Sequence, residues 1–192
     1  MAYLPLNIVY DLDDVLADFW QTVLPKMNQE FGTSVKKSQF KDYNRFGDFF
    51  GIGFDEFADF LVHHKLLEQL KPHRNVIDDL NFSVGLGATV SIVSSRDFHP
   101  NAYDITHEWL INNGVCFDNL HISGKIKKSS VVSNVDVVYD DHHKHLDDYL
   151  NSGVLNKGAK VYLMNQPWNE HYSREGVKRI SHSDFIFNEE KK

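Results

Sequence analysis

The sequence predicts a three-layer α/β fold built on a parallel sheet, with a small helical segment inserted after the first strand. Three observations lead there. Short apolar runs recur along the chain and each stops at polar residues, as strands buried on both faces do. Helix-like stretches separate them, and strands alternating with helices favour parallel pairing. A block rich in aromatic residues, from about Ala17 to Lys71, breaks that alternation.

Leu6 to Tyr10 is the first apolar run, and it ends at Asp11. The aromatic block follows, and its stretch DEFADFLVHHKLLEQL has apolar residues at helical spacing, while Gly47 to Gly53 reads as a loop. A helical subdomain lying over the rim of the sheet is the simplest arrangement. It divides the chain into a core of residues 1–16 and 72–192 and an insertion of residues 17–71. A helix over Asn75–Phe82 leads to the second strand, Ala88 to Val93, closed by Ser94, Ser95 and Arg96. Further helices are expected over Asn101–Asn113, Lys125–Ser133 and His142–Asn151, with Gly114 and Gly153 where helix C-termini need them. The third strand, Val135 to Tyr139, stops at Asp140 and Asp141, and the fourth, Ala159 to Met164, stops at Asn165. The closing NEEKK reads as a frayed, solvated end.

Composition narrows the function. A chain of 192 residues that is 42% hydrophobic can bury a real core. The formal charge of -7 argues against a polymeric nucleic-acid partner, which is held mainly by Lys and Arg. A small phosphorylated substrate needs only a few local cations and a metal. Cys116 is the one cysteine, so no internal disulfide forms. The N-terminus lacks a basic region followed by a long apolar run, and no run is long enough to span a bilayer. A soluble, cytoplasmic protein without a membrane partner is expected.

In open parallel sheets ligands bind outside the carboxyl ends of the strands. Asp11 and Asp13, Ser94 and Ser95, Asp140 and Asp141, and Asn165 therefore share one rim. The Asp-x-Asp spacing lets two carboxylates face one site while Leu12 turns back to the core. One can attack phosphorus, and the other can protonate the leaving oxygen and later activate water. Acids so close also call for a cation, and Mg²⁺ held by carboxylates suits them.

The pattern NIVYDLDDVL, a hydroxyl residue after the second strand, a lysine and an acidic pair after another strand, in that order, resembles the haloacid dehalogenase-like phosphatases. That likeness implies a Rossmann-like core with a helical cap inserted after the first strand. It implies Asp11 as nucleophile, Asp13 as general acid/base and Ser94, with Ser95, at the phosphate. It also implies Mg²⁺ bound by Asp11, the Asp13 carbonyl, Asp140 and Asp141. Lys125, Lys127 and Lys128 all lie near the place of the lysine, and spacing favours Lys128. DLDDVLADF, the insertion after it, KPHRNVIDDL and VYLMNQPWN resemble the 5'(3')-deoxyribonucleotidases of phage and bacterial type. Asp14 stands where many of those have glycine, and His142 where an arginine often helps hold substrate; Arg96 is a candidate to supply that cation to the phosphate.

Other features read as structure. Asp14 and Asp18 suit the N-terminus of the following helix, and His143, His145, His63 and His64 suit solvated or capping positions. GLG at Gly85–Gly87 precedes its strand, and SGKIKKSS lacks a phosphate-loop pattern. The aromatics of the insertion are mostly core, with Trp20, Phe46 and Phe49 as candidates to stack on a nucleobase. The expectation is a Mg²⁺-dependent phosphomonoesterase acting on (deoxy)nucleoside monophosphates. Its rivals are a phosphatase for sugar phosphates or nucleic-acid 3'-phosphates, and a non-catalytic nucleotide-binding module.

Overall fold

A computed structural model describes residues 5–185; residues 1–4 and 186–192, which include the NEEKK end, lie outside the described residues. The first strand, β1 (Asn7–Tyr10), holds the centre of a six-stranded sheet because each of its faces meets apolar neighbours. Ile8 and Tyr10 enter one buried cluster, and Val9 enters another on the opposite face. A two-stranded antiparallel pair, β2 (Ala17–Asp18) and β3 (Lys71–Pro72), brackets the aromatic block. Between them run α1 (Phe19–Phe31), α2 (Phe54–His63) and short 3-10 turns, including Tyr43–Phe49.

The chain then alternates: α3 (Arg74–Gly85), β4 (Thr89–Ser94), α4 (Ala102–Asn112), β5 (Asn119–Ile122), β6 (Val135–Asp140), α5 (His143–Ser152), β7 (Leu155–Met164) and β8 (Val177–Ile180). The strand order is β5-β4-β1-β6-β7-β8, and every pairing in this sheet is parallel. Helices α3 and α4 contribute to the cluster on one face, and α5 to that on the other, which gives the three layers. From β1 the order runs outward to β4 and β5 on one side and to β6, β7 and β8 on the other. The carboxyl end of β1 is thus the switch point at which such sheets bind ligands.

Four local expectations are corrected. The helix expected over Lys125–Ser133 is only a 3-10 turn, Lys128–Val131, since its Ser and Val residues favour helix weakly and Lys128 turns inward. The helical spacing that begins at Asp55 stops at His63. Lys65 takes φ +50° there, and the Gln69 side-chain amide caps the carbonyls of His64 and Lys65. Part of the expected loop Gly47 to Gly53 belongs to the turn Tyr43–Phe49. The edge strands β5 and β8, and the β2–β3 pair, were not expected at all. No helix among the described residues is long and apolar enough to cross a membrane.

Candidate active site

Asp11 follows β1 directly, and its N–H donates to the Tyr139 carbonyl at 2.9 Å, extending the ladder by one residue to the rim. The chain then doubles back on Leu12. The Leu12 carbonyl accepts from the N–H groups of Leu16 and Ala17, both at 2.9 Å, and its side chain is wholly buried, as expected. The turn needs φ +58° at Asp14, a left-handed conformation that favours glycine and that Asp tolerates better than most residues.

Oxygens of Asp11, Asp140 and Asp141 lie within 4.8 Å of one another, and all three residues are buried. Lys128 Nζ sits 2.7 Å from Asp11 and 2.8 Å from Asp140. Its neighbours Lys125 and Lys127 are exposed, and Lys127 reaches Asp148 instead, at 3.4 Å. Asp140 is further held by the His142 N–H at 2.8 Å and by His145 Nδ1 at 3.2 Å from each oxygen. Asp141 accepts from Trp168 Nε1 at 3.0 Å, and the Asn169 side chain donates to the Asp141 carbonyl at 2.8 Å. The turn after β7 therefore braces the acidic pair.

Burial pushes the carboxyls of Asp11 and Asp141 upward, and for Asp141 the charges of Asp11 and Asp140 add to it. Burial opposes Asp140 too, but Lys128 and His145 outweigh it and hold that carboxyl below the usual range. One ammonium thus leaves a crowded acidic trio under-neutralised. Three convergent carboxylates of this kind fit a hard divalent cation such as Mg²⁺.

Asp13 meets Arg96 in a two-pronged ion pair, with Nε to Oδ2 at 2.9 Å and Nη2 to Oδ1 at 2.5 Å. The guanidinium expected to serve the phosphate is therefore committed to Asp13. Ser94 is wholly buried, its hydroxyl has no hydrogen-bond partner among the described residues, and it is not on the cavity wall. Ser95 does line that cavity. Asp18 stands at the N-terminus of α1 as expected, though its side chain makes no cap bond, and Asp14 pairs with Lys37 at 2.7 Å. Burial pushes Asp14 up to about 7 in spite of that lysine.

The cavity over these groups holds about 350 Å³, within the range of small-ligand sites, and Tyr43, Phe46, Phe54, Phe57 and Phe98 form its apolar wall. Of the aromatics expected to meet a base, Phe46 is there. Trp20 is not: it is 1% exposed, buried among Phe40, Phe46 and Phe57, because α1 turns its apolar face inward. Phe49 packs on Phe40 and is absent from the wall. His142 lines the cavity, as its place beside the acidic pair suggested, and burial pushes its imidazole down to about 4. His145 was read as a solvated or capping residue and instead grips Asp140; its one signal was a position on the first turn after the acidic pair. Tyr43, Phe54 and Phe57 carried no signal beyond lying among other aromatics, and Phe98 none beyond following the Ser94–Arg96 segment at the end of β4.

The family described as "5' nucleotidase, deoxy (Pyrimidine), cytosolic type C protein" matches residues 5–186. "Putative nucleotidase YqfW" of Bacillus subtilis (strain 168) is 24% identical over 173 residues, covering 86% of this chain and 83% of that protein. Among solved structures, a "predicted phosphatase from Clostridium acetobutylicum" is similar with a TM-score of 0.62 at 13% identity, over 94% of this chain and 96% of the other. The "putative HAD-hydrolase YfnB from Bacillus subtilis bound to magnesium" is similar with a TM-score of 0.53 at 11% identity, over 92% and 94% of the two chains. At such identities these structures establish the fold, which is of the haloacid dehalogenase type.

Proposed function

The chain belongs to the 5' nucleotidase, deoxy (Pyrimidine), cytosolic type C family, hydrolases of phosphomonoesters, and from that premise we propose that it cleaves (deoxy)nucleoside monophosphates to nucleoside and phosphate, with Mg²⁺ and through an aspartyl-phosphate on Asp11. The observation that carries this reading is the buried trio Asp11, Asp140 and Asp141, joined by Lys128, beneath an aromatic-walled cavity.

An oxygen of Asp11 attacks phosphorus in line, and the bond from phosphorus to the nucleoside oxygen breaks while Asp13 gives that oxygen its proton. Asp13 then takes a proton from water, whose oxygen attacks phosphorus and releases the Asp11 carboxylate. Lys128 keeps Asp11 oriented and offsets negative charge. Ser95, on the cavity wall, offers its hydroxyl to the phosphoryl oxygens, and the buried, unpartnered hydroxyl of Ser94 stands one residue behind it. Asp11, Asp140, Asp141 and the Asp13 carbonyl would hold Mg²⁺, which when bound would neutralise charge and polarise the phosphoryl group. Residues 17–71 act as a cap that excludes water and presents Tyr43, Phe46, Phe54 and Phe57 to the base.

The test is phosphate release from deoxy- and ribonucleoside monophosphates and sugar phosphates, with Mg²⁺ and with EDTA. Release chiefly from nucleotides, abolished by EDTA and by Asp11→Asn, is expected. Release chiefly from sugar phosphates would overturn the substrate, and turnover by a folded Asp11→Asn protein would overturn the nucleophile.

A further inference from the structure

Resting on the acid–base role of Asp13 proposed above, we infer that Arg96 is a positioning residue that sets the direction of the Asp13 carboxyl, and is not a phosphate-binding cation. Arg96 is 1% exposed and stands among the largest wholly buried side chains of the protein. A guanidinium is costly to bury unless its donors are matched. Here three of the five are: Nε and Nη2 take the two oxygens of Asp13, and Nη1 reaches Thr106 Oγ1 at 3.4 Å. Thr106 lies on α4 and is itself wholly buried. The planar fork is thereby tied to a rigid helix, and it fixes both the distance and the plane of the carboxyl it holds.

Among the described residues nothing else anchors the Asp13 carboxyl. Asp13 sits in the tight turn after β1, and among the described residues Arg96 is the sole hydrogen-bonding partner of its carboxylate. Its side chain is 24% exposed, so without the fork it would sample other rotamers. The two steps assigned to Asp13 lie on one line toward phosphorus: a proton goes out to the leaving oxygen, then one comes in from the attacking water. Both require the carboxyl to stay on that line, and misplacement is costly to rate. Proton delivery uses one carboxyl oxygen, and the guanidinium keeps its hold on the other. Arg96 also borders the cavity, and a phosphate contact by its remaining N–H donors would show in KM, whereas positioning of Asp13 shows in kcat.

The experiment compares two leaving groups in the wild type, Arg96→Met and Arg96→Lys. A nucleoside oxygen must be protonated as it leaves, whereas p-nitrophenolate departs without a proton. Arg96→Met is expected to lower kcat for the nucleotide about 100-fold with KM changed by less than about threefold. In single turnovers its release of p-nitrophenol should fall far less, and Arg96→Lys should recover part of the nucleotide rate. Arg96→Lys keeps the charge and most of the bulk, so it reports even where Arg96→Met does not fold. Equal losses on both substrates, or a rise in KM with kcat held, would overturn the inference while leaving the phosphatase reading intact. A wild type that cleaves neither substrate would remove that reading and the inference with it.

Discussion

Lys128 pairs with two of the three buried carboxylates at the site. Its ammonium is 3% exposed and joins Asp11 to Asp140, and both carboxylates raise its affinity for a proton although burial opposes this. Removing one partner from such a buried network leaves charge uncompensated, at a cost of about 3–5 kcal/mol. Lys128→Met should lose about that much stability in EDTA by urea unfolding, and turnover should fall about 100-fold or more. Added Mg²⁺ should return part of the stability, because a ligand bound only by the folded state adds stability by mass action. An unfolding midpoint equal to wild type in EDTA would deny Lys128 this role. Asp11→Asn has the opposite sign: it removes a carboxylate that burial and its acidic neighbours already disfavour, so in EDTA stability should hold or rise while turnover vanishes.

At the scale of elements, the join between β3 and α3 predicts a pH dependence. His73 follows β3, and its ring stacks on that of His182 with centroids 3.6 Å apart. Nε2 of each is buried without a partner among the described residues. Burial pushes His73 from 6.5 down to about 3 and also lowers His182, with nearby Lys37 adding to both. An unfolded chain therefore takes up protons near pH 6.5 that the folded protein refuses. Stability from this pair is complete above that pH and is lost as pH falls toward about 3. The raised carboxyls of Asp11, Asp14 and Asp141 act in the opposite direction, so the pair is read from a difference: from pH 7.5 to 5 the urea midpoint of His73→Phe, which keeps a ring in the stack, should rise relative to that of the wild type. Equal slopes in the two proteins would exclude a contribution from the pair. The same scale explains what the sequence disclosed. Four strands with strong apolar runs were legible because their faces are buried, whereas β5 (NLHI) and β8 (VKRI) are short, partly polar edges. Asp11, Asp13, Asp140 and Asp141 were legible because each lies at or just beyond the end of an apolar strand run. Tyr43, Phe98, Thr106 and His145 take their places from tertiary packing, which no spacing records, and Trp20 was lost to the core for the same reason.

For the whole molecule, charge and enclosure act together on the choice of substrate. The chain carries a formal charge of -7, and the acids at its site outnumber the cations, so an approaching anion meets repulsion that a divalent ion held as proposed by Asp11, Asp140 and Asp141 would offset only locally. One phosphate can be matched by Lys128 and a divalent ion. Each further phosphate of an oligonucleotide would lie beyond them and meet only the net negative charge of the chain. The cavity is also walled by Tyr43, Phe46, Phe54 and Phe57 of the inserted segment, a wall that a strand continuing from the nucleoside would have to pass. A terminal phosphate on a short DNA strand should therefore be released with kcat/KM at least about 100-fold below that of the mononucleotide. Raising monovalent salt should narrow the gap by screening the repulsion, yet not close it, because the aromatic wall is indifferent to salt. Phosphate release from a mononucleotide and from a 5'-phosphorylated decamer, each followed across ionic strength, separates the two contributions. A gap that closes in salt would assign selectivity to charge alone, and equal rates at low salt would show that neither charge nor wall excludes the polymer.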